Sequence, residues 1–134
     1  MTNLVEKERD LITAQAMIHL VNLCHGASKA AGWWVGKDGK DIRENPLTFS
    51  NKLMLTVTEL AEACEGDRKK CMDTHLPDRL MTEVELADAL IRILDLAGAY
   101  NLDIGGALIE KMRYNLTRQD HSKAAREAVG GKAY

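Results

Sequence analysis

The fold is decided by residues 80–100, which read LMTEVELADALIRILDLAGAY. Apolar side chains recur there at the three- and four-residue spacing of an α-helix. The expected buried stripe of this helix consists of Leu80, Val84, Ala87, Ile91 and Leu94. Most of its other positions are apolar too, which predicts a helix that is buried over most of its circumference. We expect Pro77 in its first turn and its end near Tyr100.

Three further helices are predicted from the same periodicity. They cover about residues 4–31, 48–70 and 103–119. Thr48 or Ser50 can cap the second helix of the chain, and Asp103 caps the last one. The buried stripe expected on the second helix consists of Leu53, Val57, Leu60 and Cys64. Helices joined by short connections predict an all-α fold, an antiparallel four-helix bundle.

Length and composition limit the classes of protein that remain. A chain of 134 residues can bury about two-thirds of its extended surface, enough for one domain over residues 1–134. Six aromatic residues and two prolines argue against a β-sandwich or barrel. A net charge of −2 excludes binding of a nucleic-acid polymer through bulk positive charge. The small residues of the segment 122–134 predict a flexible tail.

Nothing in the sequence predicts a membrane partner or a secretory signal. The apolar runs are shorter than the roughly 20 residues that a spanning helix needs. The first ten residues, MTNLVEKERD, lack the apolar core of a signal peptide. The three cysteines do not have the spacing of a disulfide framework. We therefore expect a cytoplasmic protein with reduced thiols.

Two pairs of carboxylates stand out on the second and third helices. Glu59 and Glu62 form one pair, and Glu85 and Asp88 form the other, each at i, i+3 and so on one helix face. Among these four acids, only Asp88 has a cation within reach along its own helix, at Arg92. Solvated acids on two outer helix faces are the alternative interpretation of such pairs.

Most charged residues of the third helix cluster on one side of it. Four of its charged residues fall within a sector about 80° wide on the helical wheel, and almost everything else on the helix is apolar. They are Glu85, Asp88, Arg92 and Asp95. A narrow acidic sector on a mostly buried helix indicates a cleft. Several carboxylates that face one another need a positive charge, and their hard oxygen atoms favour Mg²⁺ or Mn²⁺.

The two pairs, in the contexts ELAEA and ELADAL, resemble the MazG-like all-α nucleoside triphosphate pyrophosphatases. That superfamily includes dimeric dUTPases, dCTP pyrophosphatases and phosphoribosyl-ATP pyrophosphatase. The resemblance covers roughly residues 48–121. It implies a Mg²⁺ ion held by Glu59, Glu62, Glu85 and Asp88, and hydrolysis of a (deoxy)nucleoside triphosphate to the monophosphate and pyrophosphate. Glu59 or Glu62 would serve as the base for the attacking water. The family often has a second Glu just before the first ligand, where this chain has Thr58.

The same resemblance extends to KMRYNLTRQDH, residues 111–121, and implies a group of phosphate-binding side chains. That group consists of Lys111, Asn115, Arg118 and His121. The first three lie at i, i+4 and i+7, so one helix face becomes basic toward its C-terminus and could meet phosphate oxygens. A solvated basic helix end is the alternative. Lys52, ahead of the acids of the second helix, is a further candidate for a phosphate contact.

The dipeptide Trp33–Trp34 lies in a loop flanked by glycines. One of these side chains could stack on a nucleobase. Alternatively, one or both cap the core or fill a subunit interface. His25, near the end of the first helix, could contact a base or occupy an ordinary polar position.

Members of the family build their sites from neighbouring subunits, so the resemblance implies a homo-oligomer, a dimer or a tetramer. The apolar circumference of the third helix independently suggests such packing. Two other functions remain open. The chain could be a non-catalytic helical interaction module whose acids dock a partner, or it could share the fold but act as a phosphoribosyl-ATP pyrophosphatase.

Overall fold

The computed structural model describes residues 3–132 and is all-α. The four main helices are α1 (Leu4–Ala30), α2 (Thr48–Lys69), α3 (Met81–Ala99) and α4 (Ile104–Thr117). A short helix, α5 (Lys123–Glu127), and 3₁₀ turns at Ile42–Glu44 and Gln119–His121 complete the elements. No strand occurs in residues 3–132, so the predicted all-α class is confirmed there. Within the same residues, no helix is long and apolar enough to cross a bilayer.

The chain divides into two compact units. One consists of His19–Leu102, and the other combines the residues up to Ile18 with those from Asp103 onward. The single domain expected over residues 1–134 stays a prediction. Its two terminal dipeptides, residues 1–2 and 133–134, lie outside the described residues.

Within the unit His19–Leu102, helices α2 and α3 run antiparallel. Gly66, near the end of α2, lies against Met81 at the start of α3. One turn earlier on α2, the carbonyl oxygen of Ala63 accepts a hydrogen bond from Thr82 Oγ1 at 3.4 Å. Further back, Glu59 meets Arg92 of α3. Residue numbers thus fall along α2 as they rise along α3.

The buried stripe predicted for the second helix is wrong. Leu53, Val57 and Leu60 are 43%, 50% and 47% exposed, and Cys64 is exposed as well. The buried face of α2 lies about 120° away around the helix. It consists of Thr48, Thr56, Glu59, Ala63 and Gly66. Small side chains on that face let α3 approach closely, and this contact takes precedence over the more apolar stripe.

The stripe predicted for the third helix is wrong in large part. Leu94 is buried, but Leu80 and Ile91 are 48% and 47% exposed, and Ala87 is exposed as well. The buried side of α3 instead includes two acids, Glu85 and Asp95. Because this polar sector faces the protein interior, much of the apolar circumference of α3 points outward.

The predicted starts of two helices are also wrong. Pro77 lies in the turn before α3, because Asp73 accepts hydrogen bonds from the amides of His75 and Leu76 and so forms a separate turn. These amides keep the Asp73 carboxylate charged and lower its pKa. Neither Thr48 nor Ser50 caps α2, because both hydroxyls donate to preceding carbonyl oxygens.

The second unit contains α4, whose predicted cap is confirmed. Asp103 Oδ1 accepts a hydrogen bond from the amide of Gly106 at 2.9 Å. Gly105 lies against Met17 of α1, and Arg113 forms an ion pair with Asp10. Beyond α4, the segment expected to be a flexible tail contains α5, and its flexibility stays a prediction.

A small aromatic core fixes the loop between α1 and α2. Trp34 is only 5% exposed and packs with Leu96 and Ala99 of α3. Its ring meets Tyr100 edge to face at 6.2 Å between centroids, and Phe49 meets Tyr100 in the same way at 5.0 Å. The loop is therefore anchored at Trp34, directly beside its exposed neighbour Trp33.

Gly98 of α3 allows the close approach of α1. A Cβ atom at Gly98 would lie well inside van der Waals contact with Cβ of His25. A Cβ at Gly26 of α1 would meet no atom of residues 3–132 within 4 Å apart from its chain neighbours and the backbone of its own helix. We expect Gly98→Ala to destabilise the protein by about 1–3 kcal/mol. Gly26→Ala should stabilise it by up to about 1 kcal/mol, because alanine favours a helix over glycine. Urea unfolding of both variants measures this, and equal effects would contradict the close α1–α3 contact.

Candidate functional site

Three of the four predicted metal ligands come together between α2 and α3. Glu59, Glu85 and Asp88 each offer one carboxylate oxygen, and these oxygens lie within 4.8 Å of one another. We call these three residues the acid triad. Glu59 and Glu85 are each only 7% exposed. Glu62 is exposed and lies outside this group of oxygens.

Crowding of the carboxylates in and around the acid triad affects the pKa of Glu85. Burial raises the pKa of Glu85, and the negative charge of nearby Glu62 raises it further. A hydrogen bond with Glu59 and the charges of Glu59 and Asp88 act in the same direction. A divalent cation would relieve this repulsion, and three hard oxygen donors suit Mg²⁺ or Mn²⁺.

Arg92 supplies a positive charge that was not expected for Glu59. Its Nε and Nη2 atoms both lie 2.5 Å from Glu59 Oε1. Glu59 has no cation within reach along its own helix, and neighbours on that helix were all that the sequence could report. In the folded protein, Arg92 reaches across from α3 to α2. A metal ion at the acid triad would therefore compete with Arg92 for Glu59.

A cavity of about 780 Å³ opens beside the acid triad, within the unit His19–Leu102. Helix α1 and the residues just after it form one wall, and α2 and α3 form the others. Its apolar lining includes Leu23, Ala27, Trp33, Leu55 and Ile91. Its polar lining consists of Ser28, Lys52, Asp88, Arg92 and Asp95. Asp88 thus belongs to both the acid triad and the cavity wall.

Asp95 is the most heavily hydrogen-bonded side chain of this wall. Its Oδ1 accepts from Trp34 Nε1 at 2.8 Å and lies 2.9 Å from His25 Nδ1. Its Oδ2 accepts from Ser28 Oγ at 2.8 Å. Because an ionised carboxylate can only accept, His25 Nδ1 carries the proton of its bond. Sequence reasoning placed Asp95 in the acidic sector but found none of these partners, which are distant along the chain.

The predicted base-binding residues occupy different positions. Trp33 lines the cavity and is 69% exposed, so its ring is accessible. Trp34 is buried in the aromatic core, which matches the alternative considered for it. His25 bonds to Asp95 and meets the Trp34 ring edge to face. Lys52 lines the cavity and places its Nζ 4.5 Å from the centroid of the Trp34 ring.

The predicted phosphate-binding group lies on α4 and just after it, in the other unit. Lys111 Nζ lies 4.7 Å from the Tyr114 ring centroid, and Arg118 forms an ion pair with Asp120. The Oδ1 atom of Asn115 is buried and has no hydrogen-bond partner among residues 3–132. His121 is the last residue of a 3₁₀ turn beyond α4. The phosphate-binding role of these residues stays a prediction.

Comparison of this chain with protein-family models, with curated proteins and with solved structures found no match. The resemblance to all-α nucleoside triphosphate pyrophosphatases therefore stays a prediction that depends on the residues quoted for it.

Removal of one charge from the acid triad should stabilise the metal-free protein. The folded-state pKa of Glu85 is raised, so the parent loses stability as the pH rises through that pKa. In EDTA, Glu85→Gln should melt at or above the parent temperature at neutral pH, and the difference should shrink as the pH falls. Mg²⁺ should raise the melting temperature of the parent but not that of Glu85→Gln.

Glu65→Gln is the matched control for this comparison. Glu65 lies on α2 outside the acid triad, where it pairs with Arg68 and Lys69. The control should keep the full Mg²⁺ shift, whereas Glu62→Gln shows whether the fourth expected ligand contributes. Equal Mg²⁺ shifts in the parent and in Glu85→Gln would contradict a metal site at the acid triad.

Replacement of Arg92 should strengthen metal binding in the absence of nucleotide. Arg92→Met leaves Glu59 without its competing cation. We expect Mn²⁺ to bind about tenfold more tightly, the equivalent of one charge-assisted hydrogen bond. Mn²⁺ titration followed by electron paramagnetic resonance measures this affinity. Arg68→Met, which removes an exposed arginine paired with Glu65, should leave it unchanged. Weaker Mn²⁺ binding by Arg92→Met would show that Arg92 does not compete for the site.

Proposed function

We propose that this chain is a Mg²⁺-dependent nucleoside triphosphate pyrophosphohydrolase, with an antiparallel four-helix bundle of the MazG-like type. The observation that carries the proposal is the position of Asp88. It contributes an oxygen to the acid triad and also lines the cavity of about 780 Å³. A nucleotide in the cavity would therefore have its negatively charged phosphates beside the carboxylates of the acid triad. Because charges of the same sign repel, the carboxylates can hold the phosphates only through a cation.

Mg²⁺ is the cofactor in this proposal, and Mn²⁺ can replace it. The donor set fits either ion, since Glu59, Glu85 and Asp88 supply three hard oxygen ligands from two helices. The bound ion supplies neutralisation of phosphate charge and activation of water. The exposed Glu62 would add a fourth negative charge near the ion, or would contact the ion through a water molecule.

Residues of the chain would bind the phosphates, take a proton from the attacking water and enclose the base. Arg92 and Lys52 line the cavity and can donate hydrogen bonds to phosphate oxygens. Glu62 is the better candidate for the base that takes a proton from water, because Glu59 is buried and bonded to Arg92. The apolar part of the lining, with Trp33, would enclose the base of the nucleotide and keep bulk water from it.

A homo-oligomer, a dimer or a tetramer, is part of the proposal. The stripe of α2 with Leu53, Val57 and Leu60 is exposed, and α3 exposes Leu86 and Leu90. Apolar side chains at helical spacing on two neighbouring helices are typical of a face covered by another subunit. The predicted phosphate-binding group on α4 would then serve a site in such an assembly.

The proposal is tested by pyrophosphate release from a panel of nucleoside and deoxynucleoside triphosphates. We expect turnover with Mg²⁺ and none in EDTA, because the acid triad needs the ion to hold a polyphosphate. Phosphoribosyl-ATP, included in the panel, tests the alternative substrate. Absence of pyrophosphate release from every substrate, in a protein that still binds a partner in EDTA, would favour the helical interaction module.

The same assay tests the group on α4. Lys111→Ala and Arg118→Ala should each raise KM by about 10- to 150-fold if the contact with phosphate is direct. Lys123→Ala is the control, since this exposed lysine of α5 pairs only with Glu127 among the described residues. Unchanged kinetics in both variants would show that the group is a solvated helix end.

A further inference from the structure

Arg92 belongs to both parts of the candidate site. It lines the cavity, and its guanidinium also bonds to a member of the acid triad. Its Nε atom donates a hydrogen bond to Glu59 Oε1 at 2.5 Å, and its Nη2 atom lies 2.5 Å from the same oxygen. Because Glu59 is buried, its negative charge would be costly without a cation beside it. In the metal-free protein, Arg92 is that cation.

Arg92 keeps hydrogen-bonding capacity for a second partner. A guanidinium has five N–H donors, and among residues 3–132 those of Arg92 bond to no acceptor other than Glu59. The side chain of Arg92 is 39% exposed, whereas that of Glu59 is only 9% exposed. The arginine therefore has room to move toward the open cavity, while the glutamate stays between α2 and α3.

A divalent ion at the acid triad would oppose the bond between Arg92 and Glu59. The ion and the guanidinium carry charges of the same sign and would share one carboxylate, so they repel each other. Arg92 would then need another anion. The nearest acids along its own helix are Asp88, which would bind the ion, and Asp95, which already has three hydrogen-bond partners. A phosphate group in the cavity is the anion that remains.

We propose that Arg92 couples the binding of the metal ion to the binding of the polyphosphate, an inference that rests on the proposed nucleotide function. Without metal, Arg92 stays on Glu59 and adds no hydrogen bond to a polyphosphate. With metal, Arg92 moves to the phosphates, because the ion now neutralises Glu59. Each ligand therefore raises the affinity for the other by more than their direct contact provides.

The test compares nucleotide affinity with and without metal. Isothermal titration calorimetry measures binding of the α,β-imido analogues of dATP, dCTP, dGTP and dUTP, in EDTA and in saturating Mn²⁺, and the tightest-binding analogue is kept. Arg92→Met should lower its affinity at least about tenfold in Mn²⁺, by the loss of one charge-assisted hydrogen bond, and leave it unchanged in EDTA. An equal loss in both conditions, a loss confined to EDTA, or no loss in either would overturn the proposal.

Lys52→Met is the matched control for Arg92→Met. Lys52 lines the same cavity, but its Nζ atom lies over the Trp34 ring and, among the described residues, forms no ion pair with the acid triad. Any loss of affinity in Lys52→Met should therefore be the same in EDTA and in Mn²⁺. A loss confined to Mn²⁺ in this variant too would count against a separate role for Arg92.

Glu59→Gln tests the metal-free state with Arg92 left in place. An amide holds a guanidinium less strongly than a carboxylate does, so Arg92 becomes available to phosphate. The affinity for the analogue in EDTA should then rise at least about tenfold. Glu85→Gln removes the same charge but keeps the bond between Arg92 and Glu59, so its rise should be smaller. Equal rises would contradict the proposal, and this pair decides the question if Arg92→Met does not fold.

The titrations also separate this inference from the proposed function. A metal-dependent loss of affinity in Arg92→Met, without pyrophosphate release from any triphosphate, would overturn only the function. Pyrophosphate release with equal losses of affinity in EDTA and in Mn²⁺ would overturn only the coupling. If the parent protein binds none of the analogues in either condition, both are overturned.

Discussion

The buried carboxylate of Asp95 is the interaction on which the arrangement of the candidate site depends. It joins three segments that are far apart in sequence: α3, the last turns of α1 through His25 and Ser28, and the following loop through Trp34. Each hydrogen bond to a buried charge contributes about 1.5–3 kcal/mol, and a buried carboxylate without such bonds would be strongly destabilising. These bonds hold α1 and the loop in place as one wall of the cavity.

The polar sector of α3 contacts different neighbours along its length. Glu85 and Asp88 meet Glu59 of α2, while Asp95 meets α1 and the loop. The two sets of acids differ in how many hydrogen-bond donors accompany each negative charge. Asp95 has three hydrogen-bond partners, in Trp34, His25 and Ser28, whereas among residues 3–132 the one cation bonded to the acid triad is Arg92, which contacts Glu59. Burial raises the pKa of Glu85, and the repulsion that remains raises it further, which is why we propose a cation at this end of the site.

Local patterns in the sequence predicted much of the fold. Helical periodicity located the four main helices, and the short polar side chain of Asp103 correctly indicated the cap of α4. The choice of buried faces could not be made in this way. The contact of α2 with α3 depends on small residues such as Ala63 and Gly66, which carry little hydrophobic signal of their own. The prediction therefore chose the more apolar stripe of α2, which is exposed in the structure.

The candidate site was predictable where its residues repeat along one helix, and not where it depends on contacts across the fold. The i, i+3 spacing identified four acids, and the side chains of Glu59, Glu85 and Asp88 converge, whereas Glu62 lies outside their group. The pairing of Arg92 with Glu59 spans two helices, and the partners of Asp95 come from α1 and the loop after it. No local spacing reports such pairs, because their separation in sequence is set by the lengths of the intervening helices and loop.

The central claim is that the acid triad and the cavity together form one metal-dependent nucleotide site. Crystals grown with Mn²⁺ and a non-hydrolysable α,β-imido deoxycytidine triphosphate would test it by anomalous diffraction. The account predicts a manganese peak coordinated by Glu59, Glu85 and Asp88, with the base in the cavity. A manganese peak held by other residues, or a nucleotide bound outside the cavity, would contradict it.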